Sequence, residues 1–144
     1  MNPLTTPNTS ISMTSKVPAR LIRAALVSLG AVATGTGVMV ALRGTAGIPG
    51  GEPTVASNDS VLRFYAVWWA AQGPVNWRLA RDPDLDQNRL RAVCAATFLG
   101  GLARLAAART SGRPHPLFQA LTASELLLPP ALLILRRRMP GGGC

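Results

Sequence analysis

The chain has 144 residues, about one domain, with 48% hydrophobic residues and only 15% charged, against roughly 25% charged in an ordinary soluble domain. Its 15 Lys+Arg against 6 Asp+Glu give a net charge of +9; such a balance suits nucleic acid, but here the basic residues flank apolar runs and do not form one patch. Two cysteines and a single histidine exclude a disulfide framework and a zinc-ligand set, so neither metal nor cofactor is expected.

Residues 1–15 are rich in Thr, Ser, Asn and Pro with little to bury, and a disordered cytoplasmic segment is predicted over 1–20. The first apolar run, 24–42, is 19 residues without a charge behind Lys16, Arg20 and Arg23. That is long enough to cross a bilayer core and longer than the apolar part of a signal peptide. Ala33, Gly37 and Ala41 recur every fourth residue, a stripe along which a second helix can approach closely. Residues 43–60 carry four Gly and two Pro and form a loop, with Asn58 or Asp59 as the cap of the next helix.

The second run, 61–79, is interrupted by Arg63 and by Gly73-Pro74, and Tyr65, Trp68, Trp69 and Trp77 give it an aromatic character suited to a membrane interface. Pro74 has no N–H, so the carbonyl of Ala70 loses its helical partner. A polar loop is predicted over 80–91. The third run, 92–108, contains Arg104, and Ala92, Ala96, Gly100, Arg104 and Ala108 lie four apart on one expected packing face. After a short Gly/Pro link with His115 as a solvated loop residue, the fourth run, 117–135, contains Glu125 and Pro129-Pro130 and closes on Arg136-Arg137-Arg138. A flexible tail is predicted over 139–144, ending in a free thiol at Cys144.

These runs predict an all-α integral membrane four-helix bundle over residues 21–138, up-down, with both termini in the cytoplasm. Ten basic residues then lie on the cytoplasmic side and three, Arg43, Arg109 and Arg113, on the outer side, which satisfies the positive-inside rule. That distribution accounts for most of the charge without nucleic acid. The C-terminal arginines can also meet lipid headgroups.

Three charges fall within the spans: Arg63, Arg104 and Glu125. Intramembrane charges cost on the order of 2.5–3.5 kcal/mol each on the insertion scale and mark functional sites. Arg104 is four residues from the outer end of its span, roughly 6 Å deep, and Glu125 eight residues into its own, roughly 12 Å. A pair between them is geometrically reasonable, and Arg63 is a candidate third member, although Asp59 four residues earlier can also pair with it. Pro129 and Pro130 remove the partners of the Glu125 and Leu126 carbonyls, and arginine has donors to spare for them. Three readings stay open: a structural clamp, a net-positive pocket that takes an anionic ligand or lipid phosphate, and a small oligomeric transporter using Glu125 as its titratable group. No enzyme motif is present.

The stretches LRFYAVWWA (62–70), FLGGLARL (98–105), GRPHPLF (112–118) and ELLLPP (125–130) resemble a bacterial family of small four-span membrane proteins, domain-of-unknown-function family 4345. The resemblance covers Asp59 to Leu135. It implies the four-helix topology and the bacterial cytoplasmic membrane, draws attention to Arg63, Arg104 and Glu125, and brings no known activity.

Overall fold

The computed structural model describes residues 9–139, with side chains described from Val17 to Met139. Cys144, residues 140–144 of the expected tail and residues 1–8 lie outside this range. The described chain is all-helical: α1 (Thr9–Arg43), a single 3-10 turn over Gly44–Gly47, α2 (Ala56–Arg81), α3 (Gln87–Ser111) and α4 (Pro116–Arg137). Each of the four apolar runs lies inside one helix. α1 begins well inside the segment predicted to be disordered, so residues 9–20 are helical. Extending an existing helix adds a hydrogen bond per residue without a new nucleation cost, and a polar sequence suffices for that.

Three segments, Val17–Gly47, Gln87–Ser111 and Pro116–Arg137, are long and apolar enough to cross a membrane. α2 does not reach the same apolarity, because Arg63, Gln72 and Asn76 dilute it. Its exposed side is apolar all the same, with Val61, Phe64, Tyr65, Val67, Trp68 and Val75 all turned outward.

α1 and α2 form an antiparallel hairpin built on absent side chains. A Cβ on Gly37 would meet the Ala70 N at 2.6 Å and the Ala66 O at 2.7 Å, and one on Gly30 would meet the Gly73 O at 3.0 Å. The backbones therefore touch, as they do wherever small residues line a helix pair. Ala33 and Gly37 of the expected stripe are buried in this seam, and Gly30 extends it.

Polar clips run the length of the same seam. The Thr34 hydroxyl donates to the Ala70 carbonyl at 3.2 Å, the acceptor that Pro74 leaves without its usual partner. Trp77 Nε1 donates to the Val27 carbonyl at 3.2 Å. Trp69 Nε1 donates to Thr36 Oγ1 at 2.9 Å, and that hydroxyl donates in turn to the Val32 carbonyl at 2.6 Å. α2 remains one helix through Pro74.

α3 and α4 form a second hairpin, and the two hairpins join at one end. Ile22, Leu26, Leu79, Ala80, Leu90, Cys94 and Leu132 form the core there, with Leu85 inserted from the connecting segment. That connection is only residues 82–86, shorter than the loop predicted over 80–91, because α2 runs on to Arg81 and α3 starts at Gln87. Asp86 caps α3 by accepting from the Arg89 N–H at 2.9 Å. Leu85 has φ 50° and no exposed surface. A bulky residue in the left-handed region is strained, and full burial of its side chain at the junction offsets that strain.

Two further expectations change. Asn58 and Asp59 lie within the first turn of α2, whose cap is Val55. The buried face of α3 carries Leu90, Cys94 and Gly101, whereas Ala92, Ala96 and Gly100 are exposed. A four-residue step drifts around a helix of 3.6 residues per turn, so the five positions from Ala92 to Ala108 do not stay on one face.

Thr34→Val is expected to lower stability by about 1 kcal/mol, the net worth of an ordinary hydrogen bond. In a Pro74→Ala background, where the Ala70 carbonyl regains its helical donor, the same change should cost distinctly less. A double-mutant cycle by thermal unfolding in detergent measures the difference.

Candidate functional site

Gly101 lets α4 approach α3 closely: a Cβ there would meet the Glu125 Cβ and the Leu126 Cδ2 at 3.0 Å each. This contact buries Glu125, which is only 6% exposed. Arg104, one turn further along α3, reaches it with Nε 3.0 Å from Glu125 Oε2. The contact is an ion pair without good hydrogen-bond alignment at that oxygen. On its other side the guanidinium carbon of Arg104 lies 5.7 Å from the centre of the Phe118 ring, within cation–π range. Glu125 and Phe118 thus fix the orientation of the guanidinium.

Arg63 is engaged elsewhere. Its Nε donates to Asp59 Oδ2 at 2.7 Å, and its Nη1 donates to the carbonyls of Ala41 and Leu42 at 2.9 Å each. These two carbonyls belong to the last turn of α1, where acceptors have no partner within the helix. Arg63 therefore ties the end of α1 to the start of α2, its charge balanced by Asp59. The expected trio resolves into two ion pairs, Arg63–Asp59 and Arg104–Glu125. The excess of two arginines over one glutamate, on which the net-positive pocket rested, is balanced by Asp59. Among the described residues, no side chain donates to the carbonyls of Glu125 or Leu126; Pro129 is buried against α3 beside the carboxylate and Pro130 is exposed.

Away from the shared core the hairpins part, leaving a cleft of about 530 Å³, within the usual range for small-molecule sites. Val32, Thr36 and Val40 of α1 form one wall, Tyr65, Trp69 and Gln72 of α2 another, and Arg104, Phe118 and Leu121 the side toward α3 and α4. Its lining is mostly hydrocarbon and aromatic ring, and among the described residues Arg104 is its one charged residue. Tyr65 and Trp68 are both more than half exposed, so the cleft opens at the surface along α2. Among the described residues, no group of three or more His, Cys, Asp or Glu side chains is placed to hold a metal.

Trp69, Gln72 and Phe118 escaped notice as site residues. Tyr65, Trp69 and Gln72 are spaced four and three apart and so share one helical face, a pattern that sets the amide among rings. Phe118 becomes meaningful only once α3 and α4 pair.

The profile of the family described as Domain of unknown function (DUF4345) matches residues 21–136. The chain belongs to that family. The match takes in α1 as well as the three later helices, more than the Asp59–Leu135 resemblance covers. No curated protein and no solved structure matches the chain.

Glu125→Gln is expected to lower the thermal midpoint in detergent, since it leaves Arg104 without its counter-charge. Breaking a fully buried pair costs about 3–5 kcal/mol; with Arg104 37% exposed, about 1–2 kcal/mol is expected, because the pair is only partly buried. Unchanged stability together with loss of a cellular phenotype would replace the clamp by a working carboxylate.

Proposed function

We propose that the chain is a four-span protein of the bacterial cytoplasmic membrane, with both termini in the cytoplasm, that holds a lipid-like ligand between its two hairpins. The exterior supports the membrane reading. In the most apolar windows of the three candidate spans only 22%, 17% and 17% of residues are buried inside the protein. Leu42 and Leu127 are 74% and 70% exposed. Apolar surface on this scale calls for an apolar solvent.

α2 belongs with the spans in this reading despite its polar residues. Arg63 is neutralised by Asp59, Asn76 is buried, and the remaining outer face is apolar and aromatic. Lipid would meet a hydrocarbon surface on all four helices. The orientation follows from the basic residues, ten on the side of the shared core and three on the side of the cleft. The cleft then lies in the outer half of the bundle.

One observation carries the ligand reading: among the described residues, Arg104, clamped by Glu125, is the one charged residue lining a mostly apolar cleft. A pure packing device does not need an open cavity beside its ion pair. The transporter reading uses Glu125 as a proton carrier and first has to detach the carboxylate from Arg104. Holding is the simpler use of the same geometry.

Two measurements test this. In a Cys94→Ser/Cys144→Ser background, a cysteine at Ser57 should react with an impermeant thiol reagent from outside, and one at Gln87 only from inside; the opposite pattern removes the orientation. Native mass spectrometry of the purified protein should show a retained lipid adduct that Leu121→Trp, which fills the cleft, abolishes. An adduct indifferent to Leu121→Trp places the lipid on the outer surface and removes the cleft from the proposal.

A further inference from the structure

The charge count and donor inventory of the cleft define the ligand further, on the premise that the cleft holds a lipid. Arg104 is already neutralised by Glu125, and Arg63, the other arginine of the spans, by Asp59 and outside the cleft lining. A ligand anion placed beside Arg104 would be the third charge at a site that is already balanced, and it would lack a counter-ion at membrane depth. An uncharged head incurs no such cost.

The unused hydrogen-bonding groups define what such a head must present. Arg104 meets Glu125 through Nε, and among the described residues no acceptor meets its Nη1 or Nη2. Arginine carries five N–H donors and no acceptor. Thr36 has no proton left to donate, since its O–H goes to the Val32 carbonyl while it accepts from Trp69. Gln72 and Tyr65 line the cleft without a partner among the described residues, and each can donate. The polar part of the cleft thus offers donors around Arg104, and the rest offers hydrocarbon and rings.

We infer that the cleft takes an uncharged, single-chain lipid whose head presents carbonyl or hydroxyl oxygens to the Arg104 terminal nitrogens and Gln72. The acyl chain lies along Val32, Val40 and Leu121. One chain with a compact head suits a cleft of about 530 Å³.

The test uses the whole protein in dodecylmaltoside with two probes that share an acyl chain. Monoolein has an uncharged glycerol ester head; oleoyl lysophosphatidylglycerol adds an anionic phosphodiester. Equimolar mixtures are titrated and bound species counted by native mass spectrometry. Monoolein should bind one per protein and be preferred by roughly tenfold, about half the cost of an unpaired intramembrane charge. Gln72→Leu, which leaves the ion pair in place, should weaken monoolein severalfold, and Leu121→Trp should abolish its binding.

A preference for the anionic probe, lost in Leu121→Trp, overturns the uncharged class while the cleft reading stands. Equal binding of both probes also overturns it. If neither probe saturates at one per protein, the cleft reading and this inference fall together.

Discussion

Contact between the α1 and α2 backbones at Gly30, Gly37 and Gly73 determines much else in the molecule. Where two helices come this close, there is no room for side chains to fill the seam, and the polar groups that would otherwise meet water or lipid must find partners across it. Thr34, Thr36, Trp69, Trp77 and Arg63 do so, spaced from one end of the seam to the other. In an apolar surrounding each such bond replaces an unpaired group whose desolvation costs more than the bond itself contributes in water. α1 and α2 consequently behave as one rigid wall, and α2 can carry Pro74 without breaking.

The second hairpin is packed into this wall by buried side chains at one end, and at the other only the loop at Gly50 comes close to His115. Ile22, Leu26, Leu85 and Leu132 close the junction, and beyond it the pairs separate. The cleft is a product of that asymmetry, with a tight seam on one side, a hairpin stapled by Arg104–Glu125 on the other, and a wedge of space between. Glycine operates in both hairpins, but with different results. In α1 and α2 it brings main chain to main chain, while Gly101 makes room for a carboxylate and so decides where the charge of α4 is buried.

The helices could be read from the sequence because hydrophobic runs and basic flanks are local signals. So could the Arg104–Glu125 pair, since depth in a span follows from counting residues. The partner of Arg63 was less legible: Asp59 is the local choice, but the Ala41 and Leu42 carbonyls become reachable only when α1 and α2 lie side by side. Gly100 and Gly101 are neighbours of identical composition, and only the phase set by Leu90 and Cys94 picks the buried one. The predicted loop over 80–91 hid Leu85 and Leu90, two of the most deeply buried side chains, because single apolar residues among aspartates and arginines carry no periodicity. The cleft itself was illegible, since it depends on how far two hairpins diverge.

The joint between the hairpins has a property of its own. Arg23 of α1 donates to the carbonyls of Asp82 and Pro83, each at 2.9 Å, and Arg136 of α4 donates to the carbonyl of Asp84 at 3.1 Å. These arginines grip the peptide chain and not its side groups, whereas the Asp82 carboxylate receives the N–H groups of Asp84 and Asp86. Identity therefore matters unequally along five residues: Asp82, Leu85 and Asp86 are dictated by what their side chains do. Positions 83 and 84 take part only through the main chain, the two carbonyls and the Asp84 N–H, so substitutions that keep the local backbone path and that N–H leave the coupling between the two halves intact.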